Sequence, residues 1–174
     1  MSTKLTYAVI LTVCQAVFSL LMFLLGFQTD KMAAGQYFQY LGMVISLVIL
    51  WLGIKAVREK SPDQSLTYGQ GVGAGTVISL YSGLLSAVYT YLHFKFINPS
   101  FFEYQMELMR TKWVAAGLSD TQIENASAMM RKFSGPGITA IAVPILALIF
   151  GVIISLILAA ILKREPAAAT PPAA

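Results

Sequence analysis

Four glycines alternate at Gly69, Gly71, Gly73 and Gly75, the stretch of this sequence whose residue types and spacing most invite a chemical reading. Gly-x-Gly-x-Gly series cradle phosphates when they follow a strand and open a helix, and the phosphate loop also ends in Gly-Lys-Ser/Thr. Neither context is present. The glycines enter a run of 31 residues, Gln64 to Phe94, without a formal charge, which excludes a nucleotide site. On a helix they form two overlaid small-xxx-small pairs, Gly69/Gly73 and Gly71/Gly75, which let a second helix approach closely. Ser79, Ser82, Gly83, Ser86, Thr90 and His93 continue the stripe at spacings of three and four. Such a face must meet protein or water, because lipid leaves its hydroxyls unsatisfied. A tight helix–helix seam and a hydrophilic path between helices both meet that requirement, and the seam is the plainer of the two.

The remaining reactive residue types are few. His93 is the single histidine and Cys14 the single cysteine, so neither a histidine-based metal cluster nor an internal disulfide is expected. No Cys/His/Asp/Glu group has ligand spacing, no acid–base pair lies in an apolar run, and no cofactor, metal or catalytic residue is expected. Proton- and ion-coupled pumps place ionisable groups at mid-membrane, and the uncharged runs hold no Asp, Glu, Lys or Arg. Gln15 and Ser19, one helical turn apart, are suited to bonding a neighbouring helix.

The elements that position these residues are membrane spans. Hydrophobic residues make up 57% of the 174 and charged residues 11%, against roughly 25% charged in a soluble domain. The charges gather between four uncharged runs, Leu5–Thr29, Met32–Ile54, Gln64–Phe94 and Phe133–Leu162, each long enough to cross the hydrocarbon core as a helix. Spans are predicted at about 5–27, 37–57, 69–96 and 138–162. Tyr37, Phe38, Tyr40 and Trp51 mark the headgroup level of the second. Pro144 falls inside the fourth and should kink it, freeing the Ala140 carbonyl. The first apolar run is expected to be a retained span, since it lacks the small-x-small exit of a signal peptide. Likewise the bulky Val13 argues against lipoprotein processing at Cys14. Net charge is +4, too small and scattered for a nucleic-acid surface. Residues 1–165 read as one membrane domain, and the alanine- and proline-rich residues 166–174 as a disordered tail.

Between spans three and four lies the one sizeable polar segment, 98–134. Asn98-Pro99 suits a helix start, after which Phe102, Met106, Met109, Trp113 and Ala116 recur at four, three, four and three. Gly117 ends that helix. Ser119 and Gln122 form a capping box for a second one, with Leu118 and Ile123 as its staple and Ile123, Ala126, Met130 and Phe133 as its seam. This predicts an extramembrane amphipathic helical hairpin whose methionine-rich seam suits adaptable partner binding. The fold class is therefore all-α: an integral membrane four-helix bundle with that hairpin between spans three and four. Lysines and arginines tie at six on each side, but Lys4, Lys55, Arg58, Lys60, Lys163 and Arg164 lie in short segments against span ends. The positive-inside rule then places the termini in the cytoplasm and the hairpin outside.

Several stretches are familiar together: Tyr68-Gly69-Gln70-Gly71 and the glycine/serine span behind it, Ala87-Val88-Tyr89-Thr90-Tyr91, Phe96-Ile97-Asn98-Pro99, Gly117-Leu118-Ser119 and the closing Leu162-Lys163-Arg164. Over roughly residues 4–165 the chain resembles the bacterial domain-of-unknown-function family 4199. The resemblance implies a four-span inner-membrane protein of Gram-negative bacteria with its polar segment between spans three and four. It carries over no catalytic residues. The functional expectation is a non-enzymatic structural or accessory subunit that binds another membrane component, or a second copy of itself. Gly69, Gly71, Gly73, Gly75, Ser79, Ser82 and Ser86 would supply the packing seam. Phe102, Met106, Met109, Trp113, Ile123 and Met130 would supply the partner surface. The alternative is a small oligomeric transporter or channel subunit with the hydroxyl stripe lining a path.

Overall fold

The computed structural model describes residues 2–61 and 63–164. Pro62, expected to stop the second span, and the tail at 166–174 lie outside the described residues. Six α-helices follow in order: α1 Thr3–Leu24, α2 Met32–Glu59, α3 Tyr68–Leu92, α4 Phe101–Ala115, α5 Asp120–Phe133 and α6 Pro136–Leu162, with a π-helical segment His93–Ile97 extending α3. α1, α2, α6 and the segment Tyr68–Ile97 are each long and apolar enough to cross a membrane, and the chain is an all-α multi-pass membrane protein. Their outer faces are apolar and open, Leu24, Ile141 and Ile161 each being 69% exposed, as lipid-facing surface requires.

Local chemistry explains the helix ends. Ser2 caps α1 by accepting from the Leu5 N–H at 3.3 Å. Thr67 and Gln70 cap α3 reciprocally, the side chain of each meeting the other's backbone N–H. α2 begins at Met32 rather than Tyr37, since Met32, Ala33 and Ala34 are good helix formers. α6 begins at Pro136, whose missing N–H is harmless at a first turn, with Gly135 at φ 144° ahead of it. Pro144 is accommodated within a continuous α6.

The expected helix start at Asn98 is corrected. α4 begins at Phe101, and Asn98 instead closes the π segment, its N–H donating to the His93 carbonyl at 2.8 Å. The wider π turn carries the chain through His93–Ile97 and draws Asn98 inward, where it is 1% exposed.

α3 is the central helix. It makes its most extensive contact with α6 and also packs on α1 and α2, whereas α1 and α6 scarcely meet each other. The α3–α6 contact is a small-residue seam. A Cβ on Gly71 would lie 2.8 Å from the Ala159 Cβ, one on Gly75 would overlap Ser155, one on Gly151 would overlap Ser79, and one on Gly83 would lie 2.9 Å from the Pro144 Cα. With so little side chain between them the backbones pack closely, which is how helices associate where water offers no hydrophobic drive. A core of Ala8, Leu11, Ile49, Leu50, Ile54, Leu66, Ala74, Ile78, Leu158 and Leu162 fills the end of the bundle nearest the α2–α3 link. That end is tied by main chain. The Leu66 N–H donates to Arg164 O at 2.8 Å and the Arg164 N–H to Leu66 O at 2.9 Å, while the Arg58 guanidinium donates to the Leu162 carbonyl at 3.3 Å.

Candidate functional site

The glycine series divides between two faces of α3. Gly71 and Gly75 are buried against α6, but a Cβ on Gly69 or Gly73 would meet nothing within 4 Å. Alternate residues on a helix lie about 200° apart, so one pair faces α6 and the other faces away. Of the four, Gly71 and Gly75 pack within the chain, while Gly69 and Gly73 face no other helix of it. Ser79 and Ser82 are buried and Ser86 is half-buried. The seam is filled by this chain's own α6.

Beyond the seam the stripe opens into a cavity of about 320 Å³. Ser79, Ser82, Ser86, Tyr89 and Thr90 of α3 line one wall, with Gln15 and Ser19 of α1 and Ser46 of α2 beside them. Val143, Ala147, Phe150 and Ile154 of α6 supply apolar lining. The cavity exists because α1 and α6 both pack on α3 without closing on each other. Thr12 donates to the Ser82 hydroxyl at 3.2 Å and lies 2.9 Å from the Ala8 carbonyl. Gln15 donates to the Gly42 carbonyl at 2.6 Å and to the Ser46 hydroxyl at 2.8 Å, the interhelical bond expected of it. Ser79 Oγ is buried with no partner.

At the π-helical end of α3 a second polar group is fully engaged. His93 is 1% exposed. Its Nε2 lies 2.9 Å from Gln28 Oε1, and its Nδ1 lies 3.1 Å from the Tyr89 hydroxyl. Gln28 spends its amide protons on the Ser19 carbonyl and hydroxyl, both at 3.1 Å, so it presents oxygen to the ring and Nε2 must carry a proton. Nδ1 then accepts from Tyr89 in the neutral ring. The same phenol lies 3.0 Å from the Ala16 carbonyl, so its one proton faces two acceptors. Phe23 and Phe94 stand edge-on to the imidazole. The result joins α1, the α1–α2 link and α3 at one end of the bundle. Tyr89 four residues before His93 was the sequence signal for this pair. Nothing in the spacing announced Gln28, which lies in a link without periodicity.

The polar segment forms two short helices in contact with each other. Gly117, at φ 76°, closes α4, and the Ser119–Gln122 capping box opens α5. The residues expected to form one continuous α4 seam separate. Phe102 and Met106 line a cleft shared with Ser127 and Arg131 of α5. Met109 instead lines a cleft of about 710 Å³ against α1 and α2, where Lys112 donates to Gln36 at 2.7 Å. Trp113 and Met130 are half-buried and Ile123 is buried. Outside the spans, Asp30 holds the Tyr104 phenol above its ordinary range by hydrogen bond and charge. No group of three or more His, Cys, Asp or Glu side chains lies close enough to hold a metal among the described residues.

The family model described as a protein of unknown function, DUF4199, matches residues 6–164. No curated protein and no solved structure matches the chain.

Proposed function

The chain belongs to the DUF4199 family of proteins of unknown function, and we propose that it is a non-enzymatic accessory subunit of the bacterial inner membrane. In this reading the α4/α5 pair forms an external hairpin that receives another membrane component, and the termini lie in the cytoplasm. One observation carries it. α4 has no buried residue and α5 buries only Ile123, leaving Val114, Met129 and Phe133 each at least 60% exposed. Two amphipathic helices that leave their apolar residues this open are suited to being covered by something else. The Gly71/Gly75 face of the seam has no share in this role, because α6 occupies it.

Photocrosslinkers at Val114 and Met129, with Gly73 as a control on the spans, test the reading in native membranes. Recovery of one foreign membrane protein from the α4/α5 sites and not from position 73 supports an accessory subunit. Crosslinks to lipid or to a second copy alone dismiss it.

A small oligomeric transporter or channel subunit is the second reading, favoured by the hydroxyl-lined cavity between the spans. Liposome flux indifferent to Ser82→Ala and Ser86→Ala would remove it.

A further inference from the structure

We propose that the cavity between α1, α3 and α6 is a binding site for a neutral, bilayer-dissolved molecule whose head carries carbonyl acceptors and whose tail remains in lipid. This goes beyond an accessory role, which requires no small-molecule site.

The argument starts from Ser79. Its hydroxyl is 97% removed from solvent as a residue, lies over Gly151 at the cavity edge and has no hydrogen-bond partner. The other two buried span serines, Ser82 and Ser155, are answered. Ser155 and Ser46 donate to the carbonyls of Gly151 and Gly42 four residues back, and Thr12 bonds Ser82. A buried donor without an acceptor costs free energy that a ligand oxygen recovers. Ser86 and Thr90 add hydroxyls along the same wall.

Charge decides the class of ligand. No Asp, Glu, Lys or Arg lines the cavity, and an unpaired ion at this depth is costly, so the head is neutral. The apolar lining of Val143, Ala147, Phe150 and Ile154 suits the apolar face of a flat ring. The volume of about 320 Å³ falls at the lower end of small-molecule sites, room for a ring head and not for a whole lipid. The slender α1–α6 contact leaves the gap through which a tail reaches the bilayer. A quinone-type ring and an acylglycerol ester share this chemistry.

The test uses the full chain in nanodiscs with a decyl-tailed benzoquinone bearing a diazirine. Labelling is mapped by mass spectrometry and competed with the unlabelled quinone, with a monoacylglycerol and with a decyl phosphate. Labelling of α3 and α6 at the cavity, competed by a neutral compound and not by the phosphate, is the expected result. Competition by the quinone alone identifies a ring head, and competition by both neutral compounds identifies the shared carbonyl. Ser79→Ala removes the donor without adding bulk. It should weaken labelling about fivefold while raising the thermal stability of the unliganded protein, because the unpaired hydroxyl is gone. Ser86→Ala should weaken labelling similarly, and Ala147→Phe should block it. If Ala147→Phe does not fold, the two serine variants decide. Labelling spread over all lipid-facing helices, or unchanged in the serine variants, overturns the proposal and leaves a cavity filled by water or acyl chains only.

Discussion

Gly75 of α3 and Ser155 of α6 approach so closely that a Cβ on the glycine would overlap the serine hydroxyl. Two residues earlier, a Cβ on Gly73 would meet nothing within 4 Å. Opposite signs follow for one substitution. Gly75→Ala should cost about 1–3 kcal/mol by overpacking, and Gly73→Ala should stabilise α3 by about 0.5–1 kcal/mol through helix propensity. Reversible unfolding in mixed micelles reads both.

His93→Leu strips Gln28 and Tyr89 of their shared partner. The cost should be about 1–3 kcal/mol, the usual penalty for orphaning buried polar groups. It should also free the α1–α2 link, read as faster hydrogen exchange at Phe27–Thr29, with His93→Gln intermediate.

Arg164 contributes to the bundle through its backbone. Arg164→Pro removes the N–H that donates to Leu66, at a cost of about 1 kcal/mol, while Arg164→Ala should be nearly neutral. Spin labels at Ser61 and Lys163 should show a broadened distance distribution in the proline variant alone.

Ser119→Ala breaks the α5 capping box and should cost about 1 kcal/mol of helix stability. Because α5 buries only Ile123, the loss should stay local. Hydrogen exchange should rise across Asp120–Glu124 and remain unchanged in α3 and α6.

The Ser65 hydroxyl and N–H both donate to Asp63, holding its carboxyl below the ordinary aspartate range. A depressed carboxyl stabilises the α2–α3 turn above its unfolded value, and the gain is lost as pH falls from about 4 through the folded value. Carboxyl-carbon NMR should place the Asp63 midpoint below the ordinary aspartate range, and Ser65→Ala should raise it.

The four spans and the α5 cap were legible because each rests on local pattern: apolar run length in the first case, Ser119 and Gln122 three apart in the second. The pairing of α3 with α6 was not. Small-residue spacing says that some helix comes close, yet Gly71 and Gly75 have no way to name Ala159 and Ser155 as their neighbours. The division of the glycines was within reach, since alternate helical positions point apart. Asn98 misled because Asn-Pro commonly opens a helix, and the π turn at His93–Ile97 that draws it inward leaves no mark in hydropathy. Gln28 was hidden for a related reason: a polar residue in a link looks solvated until the fold places a histidine beneath it.

The α3–α6 seam also bears on the order in which the chain is made. α3 is translated before α6, so its glycines and hydroxyls exist before the helix that covers them. Synthesis of the 27 residues of α6 alone takes on the order of seconds at roughly 5–20 residues per second. The α4/α5 segment, read as a spacer, lengthens that interval, and a nascent chain halted before Pro136 presents the same bare face indefinitely. Such a chain is a natural client for the insertion machinery, and a natural target for membrane proteolysis.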